Sequence, residues 1–170
     1  MFPGVCFLLF LILASPSAAI NSPPDGWRFP VESDYSGDWQ TFREELLTPF
    51  HVGADFNGDG IIDEAWILIR TRSVGWGLFV FLSQKDGKTK TIQLQERKRD
   101  GNPQRFGIKL VPPGKYKTAC GKGYWECKKG EPEIVELSNP AFEFFLYESS
   151  SSIYFWDKKA KAFKQIFISD

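Results

Sequence analysis

The alternation of apolar and polar positions predicts a chain built mostly of β-strands. From position 50 onward, short apolar runs rich in β-branched and aromatic residues are separated by glycine, proline and aspartate turns. Asp86-Gly87 is a strong example of such a turn. The predicted strands cover residues 50–54, 65–71, 76–83, 88–95, 106–111, 133–137, 141–148, 152–156 and 162–168.

One short amphipathic helix is predicted ahead of the strands, over residues 39–47. Asp38 is a suitable N-cap, and Pro49 would end the helix. The apolar residues that recur at the spacing of one helix face are Trp39, Phe42, Leu46 and Leu47. No linker-like segment interrupts the rest of the chain. We therefore predict a single α+β domain over residues 39–170, consisting mostly of antiparallel β-sheet with this one N-terminal helix.

Residues 1–19 have the pattern of an export signal. They contain no charged side chain, and an apolar run over residues 5–14 is followed by Ser17-Ala18-Ala19, which suits cleavage after Ala19. The run is shorter than the roughly 20 apolar residues that cross a bilayer. An uncleaved anchor and a buried apolar strand are the alternatives. A cleaved signal predicts a secreted or periplasmic protein with an extended leader over residues 20–38.

The charge balance argues against two classes of partner. The chain has 21 basic and 21 acidic side chains, so its formal net charge is zero. Nucleic-acid-binding modules and polybasic membrane-surface proteins usually show a basic excess. We therefore expect no nucleic-acid partner. No stretch after residue 19 is long and apolar enough to cross a bilayer, so we also expect no transmembrane segment after signal cleavage.

Export changes the interpretation of the cysteines. Loss of residues 1–19 would remove Cys6 and leave Cys120 and Cys127, which favour a disulfide in an oxidising compartment. Free thiols are one alternative. Zinc binding is another, although two thiolates without a nearby histidine supply only half a tetrahedral site. A redox site is the last alternative, but the C-x-x-C spacing is absent.

The most specific chemistry lies in DFNGDGIID, residues 55–63. Gly60 at position 6 permits a sharp turn, and the backbone carbonyl of Ile61 is placed to point inward at position 7. Oxygen-bearing side chains occupy positions 1, 3, 5 and 9, namely Asp55, Asn57, Asp59 and Asp63. The three carboxylates would repel one another unless a cation lay between them. This pattern predicts a Ca²⁺ site, and a polar turn between two strands is the alternative.

The loop is not an EF-hand, because Trp66 occupies position 12 and the following residues form a predicted strand. The segment VGADFNGDGIIDEAWIL resembles the calcium loop of FG-GAP and VCBS repeats, which occur in integrin-type β-propellers. The resemblance implies that Asp55, Asn57, Asp59 and Asp63 bind the ion, together with the Ile61 carbonyl. A single copy does not imply a propeller. The remainder of the chain resembles small secreted bacterial proteins, and that likeness implies no activity.

Other candidate chemistry is weaker. His51, the one histidine in the chain, is a general base, a side chain that supports the ligands of the calcium loop, or a strand residue without a chemical role. The serines at 149–152 lack a G-x-S-x-G context for a nucleophile. Carboxylate pairs suited in principle to glycoside hydrolysis are Asp63–Glu64 and Glu131–Glu133.

The C-terminal aromatic residues have two interpretations. With the period of two of a β-strand, about half of them point to each side of a sheet. Either the sheet is covered on both sides, one of them by the 39–47 helix, or an exposed aromatic face binds a protein or glycan. The residues are Phe142, Phe144, Tyr147, Tyr154, Phe155, Trp156, Phe163 and Phe167.

These features favour a secreted or periplasmic, calcium-stabilised binding or interaction module without enzymatic activity. Its partner would be a protein, as for an inhibitor or immunity-type factor, or an envelope glycan. A small secreted hydrolase that uses carboxylates, with or without His51, is the alternative. A purely structural envelope component is a third interpretation.

Overall fold

A computed structural model describes residues 22–98 and 101–170, so the predicted export signal lies outside the described residues. Its strands are β1 (Trp27–Arg28), β2 (His51–Ala54), β3 (Asp63–Arg70), β4 (Gly75–Ser83), β5 (Thr89–Lys98), β6 (Phe106–Val111), β7 (Gly114–Lys117), β8 (Ile134–Leu137), β9 (Ala141–Leu146), β10 (Ser151–Asp157) and β11 (Ala162–Ser169). The α-helix α1 spans Gly37–Thr41, and 3-10 turns cover Glu32–Asp34, Pro103–Arg105 and Cys120–Lys122.

Antiparallel pairing organises these strands into two main sheets and a hairpin. The N-terminal sheet has the order β1-β3-β4-β5, and β2 pairs with the start of β3 while β1 pairs with its end. The C-terminal sheet has the order β11-β10-β9-β6. β7 and β8 form a separate two-stranded hairpin. The prediction of a mostly antiparallel β-sheet is therefore confirmed.

The two main sheets face each other across one apolar core. Alternate residues of β4 enter this core, whereas Phe79 and Phe81 point to the other face of the N-terminal sheet. Since β4 is buried on both faces, its sequence is a continuous apolar run. The buried residues shared by the two sheets include Ala65, Ile67, Trp76, Leu78, Val80 and Leu82 of the N-terminal sheet and Ile108, Phe142, Phe144 and Tyr154 of the C-terminal sheet.

The outer faces of both sheets are also covered. The leader crosses the N-terminal sheet, where the Trp27 ring lies 4.9 Å from that of Phe79 and the Phe29 ring lies 4.6 Å from that of Trp66. The β7–β8 hairpin covers the C-terminal sheet through a second apolar cluster. The buried members of that cluster are Val111, Val135, Leu137, Ala141 and Ile153.

The helix predicted over residues 39–47 is not confirmed. α1 spans Gly37–Thr41, and the next residues form turns. Tertiary contacts hold this segment: the indole N–H of Trp39 donates to the Phe106 carbonyl at 2.7 Å, and the Phe42 ring stacks on Tyr147 with centroids 4.6 Å apart. The α+β prediction therefore holds for its antiparallel sheet, while the described helix is only one turn long.

Of the eight C-terminal aromatic residues, three are buried, four are half-buried and one is exposed. Phe142, Phe144 and Tyr154 are buried between the sheets, so the N-terminal sheet, and not a helix, covers this face. Phe167 stays exposed, with 47% of its surface accessible. In residues 22–98 and 101–170, no helix has the length and apolar character required to cross a membrane.

Candidate metal centre

The predicted metal loop, residues 55–63, joins β2 to β3. These neighbours pair antiparallel, and Ala54 is opposite Asp63, which brings the two ends of the loop together. Gly58 and Gly60 have φ angles of 78° and 89°, a left-handed conformation that glycine adopts without steric cost. The glycines at positions 4 and 6 therefore allow the chain to curl back on itself.

The carboxylate of Asp55 lies at the centre of this turn. Its Oδ1 accepts hydrogen bonds from the backbone N–H groups of Gly58 and Asp59, at 2.7 and 3.1 Å. Its Oδ2 accepts from the N–H of Gly60 at 2.9 Å. Hydrogen bonds to an ionised acceptor are stronger than neutral ones, so position 1 shapes the loop around its own side chain.

Positions 3 and 5 belong to the same hydrogen-bonded turn. Asn57 Oδ1 accepts from the N–H of Asp59 at 2.8 Å, and Asp59 Oδ1 accepts from the N–H of Ile61 at 2.9 Å. The side-chain amide of Asn57 donates to Asp59 Oδ2 at 3.1 Å. The structure thus brings Asp55, Asn57 and Asp59 together, with the Ile61 backbone next to them.

Asp63 is placed differently. It is fully buried at the start of β3, where its Oδ2 accepts from the N–H of Phe56 at 3.1 Å and its Oδ1 accepts from the N–H of Ser83 at 3.0 Å. Burial raises the pKa of Asp63 to about 6, although these two N–H groups oppose the rise. Its carboxylate therefore ties the loop to the end of β4.

The carboxylates of the loop do not form a closed ligand cage. Among the described residues, no three Asp, Glu, His or Cys side chains converge closely enough to hold a metal ion. None of the ion pairs within residues 22–98 and 101–170 includes Asp55, Asp59 or Asp63. The donors fit Ca²⁺ by chemistry, because they are hard oxygens and a carboxylate oxygen that accepts one N–H keeps a second acceptor position.

The loop also joins the two sheets. Phe56, at position 2, is fully buried, and its ring lies 5.4 Å from Phe142 and 6.2 Å from Phe163 of the C-terminal sheet. The side-chain amide of Asn139 donates to the Phe56 carbonyl at 3.1 Å. Sequence reasoning missed Asn139, which is 83 positions away from Phe56 and has no local signal beyond the Asn139-Pro140 turn.

His51 lies at the start of β2 and not in an open catalytic cleft. Its ring stacks on Trp66 with centroids 3.9 Å apart, and its Nε2 lies 3.6 Å from Glu64 Oε1. Burial lowers the pKa of His51, and Glu64 opposes this shift. The stacked ring and its strand position support a structural role.

The other candidate catalytic groups have structural partners. Ser151 Oγ lies 3.0 Å from Ser169 Oγ, and Ser152 Oγ accepts from the side-chain amide of Gln165 at 3.1 Å. Neither contact supplies a base for a nucleophile. Glu131 accepts from the indole N–H of Trp125 at 3.1 Å.

A disulfide joins Cys120 to Cys127, as the sequence predicted. The segment that it closes lies between β7 and β8. Within this segment the Trp125 ring packs edge-on against Phe167, with centroids 6.1 Å apart. The disulfide therefore closes a loop that also contacts the C-terminal strand.

Comparisons with protein-family models, with curated proteins and with solved structures found no match for this chain.

Proposed function

We propose that this protein is an exported, calcium-stabilised binding or interaction module without enzymatic activity. The observation that supports it most is the segment over residues 55–63, where Asp55 and Asp59 lie in a glycine-containing turn, Asp63 begins the next strand, and none of the three forms an ion pair with a described basic residue. Because the same loop contacts both sheets, an ion held there would stabilise the whole fold.

The residues that would hold Ca²⁺ are the side chains of Asp55, Asn57, Asp59 and Asp63 and the carbonyl of Ile61. Bound Ca²⁺ would supply the positive charge that relieves repulsion among the three carboxylates. Of the three carboxylates, that of Asp63 would be stabilised most by this charge, since it is buried away from water. The likeness to FG-GAP and VCBS repeats is proposed for this loop alone.

Export is the second part of the proposal. The apolar segment before Ala19 has the composition of a signal peptide, and the disulfide between Cys120 and Cys127 is of a kind that persists in oxidising compartments. We assign the protein to the secreted or periplasmic space. Both observations are independent of the metal loop.

A binding role is favoured over catalysis because the candidate catalytic side chains are engaged in packing. His51 stacks on Trp66, and the hydroxyl groups of Ser151 and Ser152 contact Ser169 and Gln165. The proposed partner is a protein, as for an inhibitor or immunity-type factor, or a glycan of the cell envelope.

Thermal unfolding with and without calcium tests the metal part of the proposal. Millimolar CaCl₂ is expected to raise the melting temperature of the chelator-treated protein, because a ligand that binds only the folded state stabilises it by mass action. Asp55→Ala and Asp59→Ala should each abolish this rise.

Asp86→Ala is the matched control. Asp86 is an exposed turn aspartate followed by glycine, like Asp59, but it lies outside the loop. The control should keep the full rise in melting temperature. An unchanged rise in the two loop variants would contradict the site, and no rise in the wild type would contradict calcium binding altogether.

A further inference from the structure

A cavity of about 320 Å³ lies between the two sheets at the other end of β4. Trp76, near the start of β4, lines the cavity, whereas Ser83, the last residue of β4, contacts Asp63. At about 3.3 Å per strand residue, the cavity is roughly 20 Å from the metal loop. It is therefore a separate site.

Three aromatic rings form the floor of this cavity. The Trp76 ring lies 4.5 Å from that of Phe106 and 5.4 Å from that of Phe144. Phe106 and Phe144 are nearly parallel, with an interplanar angle of 4°. The Trp76 ring is fully buried and tilted by 46° and 43° to the rings of Phe106 and Phe144, so the three rings form a rigid but uneven apolar floor, of which the half-buried Phe106 is the most accessible part.

The indole N–H of Trp76 is buried and has no hydrogen-bond partner among the described residues. Leaving such a donor unsatisfied is energetically unfavourable. Gly101 packs directly against the indole edge, because a Cβ at this position would lie only 2.7 Å from Trp76 Cδ1 and 2.8 Å from Nε1.

The rim of the cavity is polar and contains no carboxylate. Its amide and hydroxyl groups come from Gln95, Gln165 and Ser152, and its one charged side chain is the exposed Arg97. The amide nitrogen of Gln165 donates to Ser152 Oγ, which leaves the Gln165 amide oxygen available to a ligand. A cationic ligand would find no counter-charge here, whereas an anionic one would face Arg97.

We infer that this cavity binds one sugar unit bearing a carboxylate, such as a uronic acid. The aromatic floor suits the apolar face of a sugar ring, the amides suit its hydroxyl groups, and Arg97 suits its carboxylate. The cavity volume of about 320 Å³ is at the lower end of the range for ligand sites, which suits a ligand with a single sugar ring. This assignment rests on the binding-module proposal and names the glycan class, but it does not require calcium.

The test follows the indole N–H resonance of Trp76 by NMR during titration with glucuronic acid, glucose and N-acetylglycine, each in chelator and in calcium. Trp76→Phe assigns the resonance. Glucuronic acid should shift it saturably in both buffers, and glucose should bind at least about tenfold more weakly because it lacks the ionic contact.

Arg97→Gln should weaken glucuronic acid binding by about tenfold and leave glucose binding unchanged. Arg72→Gln is the matched control, since Arg72 is exposed on the β3–β4 turn and does not line the cavity. Gly101→Ala should displace the Trp76 ring, because the added Cβ would lie 2.7 Å from its Cδ1, and should therefore weaken the binding of both sugars.

Three results would overturn this inference: no shift with either sugar, equal binding of glucose and glucuronic acid, or preferential binding of N-acetylglycine. Because the titration is repeated in chelator, a shift there together with no effect of calcium on stability would refute the metal site and leave the sugar site standing. Stabilisation by calcium together with no sugar-induced shift would refute the sugar site and leave the metal site standing.

Discussion

At the Ser83 end of β4 a buried carboxylate is satisfied by backbone N–H groups, whereas at the Trp76 end a buried indole N–H is not satisfied. The N–H of Ser83 donates to the buried carboxylate of Asp63, which also accepts from the N–H of Phe56. The indole N–H of Trp76 is equally buried but lacks a partner among the described residues. One strand thus connects an end closed by a loop to an end that contains a cavity.

The difference assigns different roles to the two ends. A hydrogen-bonded loop with a buried aromatic anchor is suited to stabilising the fold, and Phe56 provides that anchor. A cavity with an unsatisfied donor is suited to receiving a ligand. Substitution of comparable groups at the two ends should therefore have different effects.

The largest difference is expected between two phenylalanines. Phe56→Ala should lower the free energy of unfolding by about 3–5 kcal/mol, because a fully buried ring is replaced by a cavity. Phe106→Ala should cost less, since Phe106 is only half-buried and borders existing empty space. Urea denaturation of both variants measures the difference, and equal losses would contradict the contrast.

Asp63→Asn should lower the free energy of unfolding by about 1–3 kcal/mol in chelator. The N–H groups of Phe56 and Ser83 donate to different oxygens of Asp63, and in asparagine one of these oxygens is replaced by an NH₂ group that cannot accept. Asp86→Asn, in an exposed turn, is the control and should change little. If Asp63→Asn stabilised the protein, the cost of the buried charge would exceed the value of its hydrogen bonds.

Asn139→Ala should cost about 1 kcal/mol through loss of its hydrogen bond to the Phe56 carbonyl. The substitution should also weaken calcium affinity, because the Asn139 side chain packs against Gly58, which is a residue of the loop. Denaturation and calcium titration of the same variant measure both effects. Unchanged calcium affinity would show that the contact between Asn139 and the loop does not contribute to calcium binding.

The smallest effect concerns pH. Burial lowers the pKa of His51, so the folded state favours the neutral ring, and this contribution is present above the unfolded pKa of about 6.5 and lost as pH falls. The stability difference between wild type and His51→Gln should therefore shrink between about pH 7 and pH 5. Asp63 is present in both proteins, so its opposite trend cancels. A constant difference would show that the His51 pKa is not lowered.

The strand pattern was predictable because each strand is a short local run bounded by turn residues. Two strands were missed for local reasons: β1 is only two residues long, and β7 follows Pro112-Pro113, which indicates a turn. The helix over residues 39–47 was predicted from spacing alone. Long-range contacts, such as that of Trp39 with Phe106, determine the conformation of this segment instead.

In the candidate sites, too, some residues could be predicted from local sequence and others could not. Asp55, Asn57 and Asp59 are close in sequence, so their spacing alone indicated a common turn. The burial of Asp63 depends on Ser83, twenty positions away, and the cavity depends on residues from both sheets. Long-range packing decides these features, and no local pattern encodes it.

Isothermal titration of the purified, chelator-treated protein with CaCl₂ tests the central claim most directly. We expect a saturable heat with one Ca²⁺ per chain, which Asp55→Ala and Asp59→Ala remove and Asp86→Ala retains. Heat of dilution alone from the wild-type protein would contradict a calcium-binding role for residues 55–63.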